Sequence, residues 1–113
     1  MCKKGSIWIA KLDRVDGSVQ KGERPVLIVS NNNCNYTSPV VNVIPLTKKN
    51  KKKIPVHYYI EKNNNNGLSV NSTALVENIQ SIDKRSLLKC IGEICEKDII
   101  NINEKLKIQL NIG

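Results

Sequence analysis

The chain has 113 residues and a mass of 12.7 kDa, enough for one domain spanning 1–113 with one modest core. Eighteen Lys and Arg face ten Asp and Glu, a net charge of +8, which suits nucleic acid, an anionic membrane surface or an acidic protein, or else is a plain solvated basic surface. No apolar run approaches the ~18 residues of a bilayer span, and the stretch after Met1-Cys2-Lys3-Lys4 is broken by Lys11 and Asp13, so neither a membrane segment nor a signal peptide is expected and the expected location is cytoplasmic.

Residues 6–12 are rich in β-formers and predict a strand. Residues 13–23 are polar and punctuated by Gly17 and Gly22; so long a loop in a small domain tends to be functional. Residues 24–30 hold four consecutive apolar side chains, Val26 to Val29, which predicts a strand buried on both faces. Residues 31–39 have turn chemistry, and residues 40–47 predict a third strand in which Pro45 marks an edge or a bulge just before Thr47.

Residues 48–53 form a basic turn. Residues 54–61 alternate, with Ile54, Val56, Tyr58 and Ile60 on one face and His57, Tyr59 and Glu61 on the other. A polar turn over 62–67 ends in Gly67, and 72–82 is a further strand region. Asp83 can cap a turn at 84–87, and 88–94 is a last short strand. Residues 96–111 predict a helix, with Ile99, Ile102, Leu106 and Leu110 in one stripe. Five or six short, mostly antiparallel strands with a C-terminal α-helix make a mainly β domain, and the pattern suits a small SH3-like barrel. That architecture alone assigns no function.

Cys2, Cys34, Cys90 and Cys95 form no Cys-x-x-Cys pair, and His57 is the only histidine. No soft-metal site is therefore expected, no acidic cluster marks a magnesium site, and no cofactor is implied. Asn, Ile and Lys occur 15 times each. All three have A/T-rich codons, so the asparagine runs and the lysine run can reflect coding bias as readily as function.

Arg24 and Thr47 both sit at strand–loop boundaries, where functional side chains concentrate. Taken alone, Arg24 is equally an edge arginine pairing with Asp13, Asp16 or Glu23, and Thr47 an ordinary β-branched strand end. Whether the two meet is not legible from the residues.

Four ordered blocks resemble the MazF/PemK-like toxins. These are Gly5-Ser6-Ile7-Trp8-Ile9-Ala10-Lys11-Leu12-Asp13; Gly17-Ser18-Val19-Gln20-Lys21-Gly22-Glu23-Arg24-Pro25-Val26-Leu27-Ile28; Val43-Ile44-Pro45-Leu46-Thr47; and Leu75-Val76-Glu77-Asn78-Ile79-Gln80-Ser81-Ile82-Asp83. The resemblance implies the toxin of a type II toxin–antitoxin system. It implies a sequence-selective, ribosome-independent and metal-independent endoribonuclease acting on single-stranded RNA through the ribose 2′-OH, leaving 2′,3′-cyclic phosphate and 5′-OH ends. Arg24 is then the main catalytic residue and Thr47 its partner. Ser18 and Gln20 on the long loop, and Glu77 and Asn78 near the base-reading surface, would bind substrate. A homodimer and a cognate antitoxin with an acidic C-terminal segment are also implied.

The chain departs from the family pattern at Arg14, where Pro is usual, at Val19, where Glu is usual, and at Asn78-Ile79-Gln80, where Gln-Ile-Arg is usual. These changes bear on which RNA is preferred. The lysines at 48, 49 and 51–53 could steer RNA by their field or be a solvated turn. Two alternatives share the fold. A CcdB-like gyrase poison would carry a C-terminal Trp-Gly-Ile, whereas the only tryptophan here is Trp8. A non-catalytic RNA-binding module would bind RNA without cutting it.

Overall fold

The computed structural model describes residues 2–12, 22–48 and 54–113. The predicted loop at 13–23 therefore lies almost wholly outside the described residues, as do Lys49 and Lys51 to Lys53 of the basic run. Strand β1 (Ser6–Leu12) pairs antiparallel with β2 (Gly22–Ile28), and β2 with β3 (Val40–Lys48). A short helix α1 (Asn32–Thr37) occupies the predicted turn between β2 and β3, because Asn31 accepts a hydrogen bond from the Cys34 amide at 2.9 Å and caps it. Strands β4 (His57–Ile60), β5 (Ser72–Leu75), β6 (Gln80–Asp83) and β7 (Leu87–Glu93) follow, then the terminal helix α2 (Glu96–Leu110).

The described strands number seven, in the spatial order β4-β5-β3-β2-β1-β7, with β6 also on β3. The expected mainly β fold with a C-terminal helix is what forms. The strand count exceeds five or six because the region 72–82 is divided by a 3-10 turn at Val76–Asn78. Among the described residues β7 and β4 do not pair, so the sheet is curled rather than closed.

Each face of the sheet buries an apolar cluster. One holds Ile7, Leu27, Ile44, Leu46, Ile60 and Ala74 against Ile102 of α2, with Ile99 and Leu106 packed alongside. The other holds Ala10, Leu12, Val26, Ile28, Val41 and Val43, with Trp8 and Leu87 at its margin. Val26 to Val29 are thus divided alternately between two cores, which is why the run shows no polar alternation. The predicted stripe on α2 holds for Ile99, Ile102 and Leu106 and ends at Leu110, which is 51% exposed.

Pro45 is neither at a sheet edge nor in a bulge of its own strand. β3 is an interior strand, and the irregularity lies in its neighbour. Residues Leu46 to Lys48 pair with β5 and Val40 to Val43 with β6, and the register slips by three residues between the two. Val76–Asn78 supplies those three residues. Val29 N–H donates to Asn42 O at 3.0 Å. Since backbone groups alternate between edges, Pro45 turns its missing donor toward this interruption, where no ladder bond is lost.

The asparagines are structural rather than incidental. Asn66 is 1% exposed. Its Oδ1 accepts from the amides of Asn63 (3.1 Å) and Leu68 (3.0 Å), and its Nδ2 donates to Glu61 O (2.9 Å). Asn66→Ala removes all three bonds from a buried turn. It is expected to lower stability by about 2–4 kcal/mol, since orphaned buried groups cost about 1–3 kcal/mol each; a denaturant-midpoint measurement checks it. The turn lies so close to β7 that a Cβ on Gly67 would stand 2.0 Å from Ile91 O, and one on Gly92 2.3 Å from Asn65 O.

Tyr58 ties β4 to α2. Its hydroxyl donates to Asp98 and accepts from Asn101 Nδ2 at 3.1 Å. Burial and then the Asp98 carboxylate push its pKa above the ordinary 10.0. A pKa raised on folding adds stability that is complete below pH 10 and lost as pH rises through the folded value. Wild type is therefore expected to lose its advantage over Tyr58→Phe progressively above about pH 10, as read from paired denaturation curves.

Candidate active site

Arg24 lies on β2 opposite Ala10 of β1, and Thr47 on β3 opposite Thr73 of β5. Their relation to each other follows from the β2–β3 register, which pairs Ile28 with Val43, Leu27 with Ile44 and Val26 with Pro45. Continued two residues past its last pair, the same register leads to Arg24 on β2 and Thr47 on β3. Directly opposed residues share a face, so both side chains project on the face of Val26 and Pro45, away from α2. Each is half-buried. Arg24 retains interactions of its own within the fold.

The β2–β3 ladder stops short of this pair for a covalent reason. The next reciprocal pair would be Pro25 with Leu46, and Pro25 has no N–H to return the bond. Beyond that point β2 is tied to β1, and β3 to β5. The Arg-Pro dipeptide thus places its guanidinium at the spot where its own proline interrupts the sheet.

The same face carries more polar groups. Thr73 pairs with both Thr47 and Tyr59, so Thr47, Thr73 and Tyr59 form one row across β3, β5 and β4, and the β2–β3 register continues it toward Arg24. His57 lies two residues from Tyr59 on this face. Its Nε2 is 2.7 Å from Glu77 Oε2, and its side chain is only 8% exposed. His57 Nδ1 and Glu77 Oε1 are buried and make no hydrogen bond. Such unsatisfied atoms are uncommon in folded interiors. Asn78 follows Glu77 in the 3-10 turn and is half-buried, with its carbonyl accepting from Gln80 Nε2 at 3.3 Å.

Of the residues singled out by sequence, Arg24, Thr47 and Glu77 share this face, and Asn78 adjoins them. Ser18 and Gln20 lie outside the described residues. The His57–Glu77 pair was not anticipated. Alternation placed His57 on the correct face, but no spacing rule links residues 57 and 77. Among the described residues no three His, Cys, Asp or Glu side chains are grouped to hold a metal, the four cysteines are free thiols, and no helix is long and apolar enough to cross a membrane.

A scan of protein families matches residues 3–110 to the PemK-like, MazF-like toxins of type II toxin–antitoxin systems. The chain is 37% identical to the endoribonuclease MazF of Staphylococcus epidermidis, over all of this chain and 94% of that one. It is 36% identical to the endoribonuclease MazF of Staphylococcus saprophyticus, over 99% of this chain and 93% of that one. A mycobacterial endoribonuclease solved in complex with its cognate antitoxin superposes with a TM-score of 0.78 at 25% identity, covering 98% of this chain and 96% of that one. MazF from Deinococcus radiodurans superposes with a TM-score of 0.82 at 21% identity, covering 97% and 96%, a likeness of fold. With the match running through every block from the first strand to the terminal helix, the chain belongs to the PemK/MazF-like family of type II toxins.

Proposed function

We propose that this protein is an endoribonuclease toxin that cuts single-stranded RNA, using the substrate's own 2′-OH as nucleophile and no metal. The observation that supports the proposal is the β2–β3 pairing up to Val26 and Pro45, whose continuation leads to Arg24 and Thr47 on one face just past Pro25.

In the reaction the 2′-oxygen bonds to the adjacent phosphorus while the P–O5′ bond breaks. The 2′-OH proton is lost, the 5′-oxygen gains one, and the products carry 2′,3′-cyclic phosphate and 5′-OH ends. The pentacoordinate transition state bears more negative charge than the ground state. A guanidinium held at its oxygens lowers the barrier by fixed electrostatics. Arg24 is assigned that role in preference to proton transfer, since arginine stays protonated in proteins. Thr47 adds a hydroxyl hydrogen bond to the same oxygens. Glu77, Asn78, Ser18 and Gln20 are proposed to bind the substrate.

The +8 charge suits RNA. It equally suits an antitoxin whose acidic C-terminal segment folds on binding, as expected of a relative of an endoribonuclease solved with its antitoxin. The active form is proposed to be a homodimer working in the cytoplasm.

Incubation with a long single-stranded RNA in EDTA, with cut sites and end groups mapped, tests the proposal. Cleavage at a short word with cyclic-phosphate ends is expected. Binding without cleavage would replace the enzyme with a binding module.

A further inference from the structure

Thr47 is one end of a row that continues through Thr73 to Tyr59, with Arg24 next along the β2–β3 register. Strands lie about 4.8 Å apart, so the row runs about 10 Å from the backbone of β3 to that of β4. The row changes character along its length. Thr73 is 5% exposed and forms a floor, whereas Tyr59 on the outermost strand is 42% exposed and keeps an interaction of its own within the fold.

The direction of Tyr59 is fixed by its neighbours. Tyr58 reaches Asp98 of α2 and Ile60 lies in the core on that side, so Tyr59 projects to the opposite face. Its strand is held there by His57, two residues before Tyr59 and clamped to Glu77. An aromatic ring on a braced strand, level with a guanidinium and two hydroxyls, has the parts a single-stranded nucleic acid needs: a cation for phosphate and a flat face for a base.

We infer that Tyr59 stacks an unpaired nucleobase flanking the phosphate held at Arg24 and Thr47. This makes Tyr59 an RNA-binding residue, distinct from the catalytic pair, and it rests on the activity proposed above. A tyrosine kept only as a strand former would leave RNA binding unchanged when lost.

The test compares wild type with Tyr59→Ala, Tyr59→Leu and Tyr59→Phe. Cleavage is followed on an RNA containing the mapped cut site. Binding is measured by fluorescence anisotropy of a labelled 2′-deoxy oligonucleotide, which lacks the nucleophile, with one base at a time replaced by an abasic residue. Tyr59→Ala and Tyr59→Leu are expected to weaken binding and raise KM by about 5–150-fold with little change in kcat, and Tyr59→Phe to resemble wild type. One abasic position should weaken wild type and leave Tyr59→Ala indifferent. Tyr59→Leu keeps apolar bulk and serves if alanine disturbs folding. Equal binding by wild type and Tyr59→Leu, or an identical abasic profile in both, overturns the inference. Failure of wild type to cut any RNA would instead sink the proposed activity, while the anisotropy series would still decide on Tyr59.

Discussion

Arg24→Ala is expected to slow RNA cleavage in EDTA by about 10²–10³-fold, the usual cost of removing one fixed donor from a developing oxyanion. The side chain lies at the Pro25 break in the β2–β3 ladder, on a strand held in place by β1. Its loss therefore removes the charge without removing the frame. Arg24→Lys should recover only part of the rate, because an ammonium keeps the charge but not the planar fork that meets two oxygens together. Thr47→Val should cost less than Arg24→Ala, since it removes a neutral hydrogen bond. Single-turnover cleavage alongside far-ultraviolet circular dichroism makes the comparison. A folded Arg24→Ala protein that cuts at the wild-type rate would remove Arg24 from the mechanism.

The largest loss of stability is expected at the contact between the 63–67 turn and β7. Gly67 has φ +69°, a left-handed conformation that costs an L-residue about 1–2 kcal/mol. Its added Cβ would also meet Ile91 O at 2.0 Å and Ile91 C at 2.7 Å, backbone atoms that cannot swing aside. Gly67→Ala is expected to cost about 3–5 kcal/mol, a large part of a typical 5–15 kcal/mol total, and to lower Tm by about 10 °C or more. Gly92→Ala strikes the same contact from the other side, at Asn65 O and Asn66 C. Because the two share one interface, the double variant should lose less than the sum of the singles. A melt of Gly67→Ala within a few degrees of wild type would show that the turn can move off β7.

Much of the fold was legible because local pattern and tertiary burial agree. The alternation at 54–61 put Tyr58 and Ile60 inside and His57 and Tyr59 on the other face, and the stripe on α2 announced its buried side. The short helix at Asn32–Thr37 was not legible, since its residues are equally turn formers. It depends on the Asn31 cap and on buried Asn35, whose Nδ2 donates to Ser30 O. The asparagines at 63–66 were open to a coding-bias explanation, yet Asn66 holds the buried centre of a turn.

The site was half legible. Arg24 and Thr47 could be picked out by their places at strand ends. Whether they meet depends on register, which no single strand encodes. The His57–Glu77 pair depends on the 3-10 turn that interrupts the β5–β6 region, and that turn, Val76–Asn78, carries neither the Gly nor the Pro that usually marks one. Pro45 was readable as an irregularity, but the irregularity belongs to the strand beside it.

The row from Arg24 to Tyr59 draws on β2, β3, β4 and β5, and β5 lies beyond the midpoint of the sequence. During synthesis, a ribosome that has delivered β2 and β3 has delivered Arg24 and Thr47 but no strand to fix the far side of Thr47. That partner arrives only with Ser72–Leu75, and the helix covering the opposite face arrives last. The last strand of the row is therefore in place only after Leu75 has been made, whereas Arg24 and Thr47 lie in the first half of the chain.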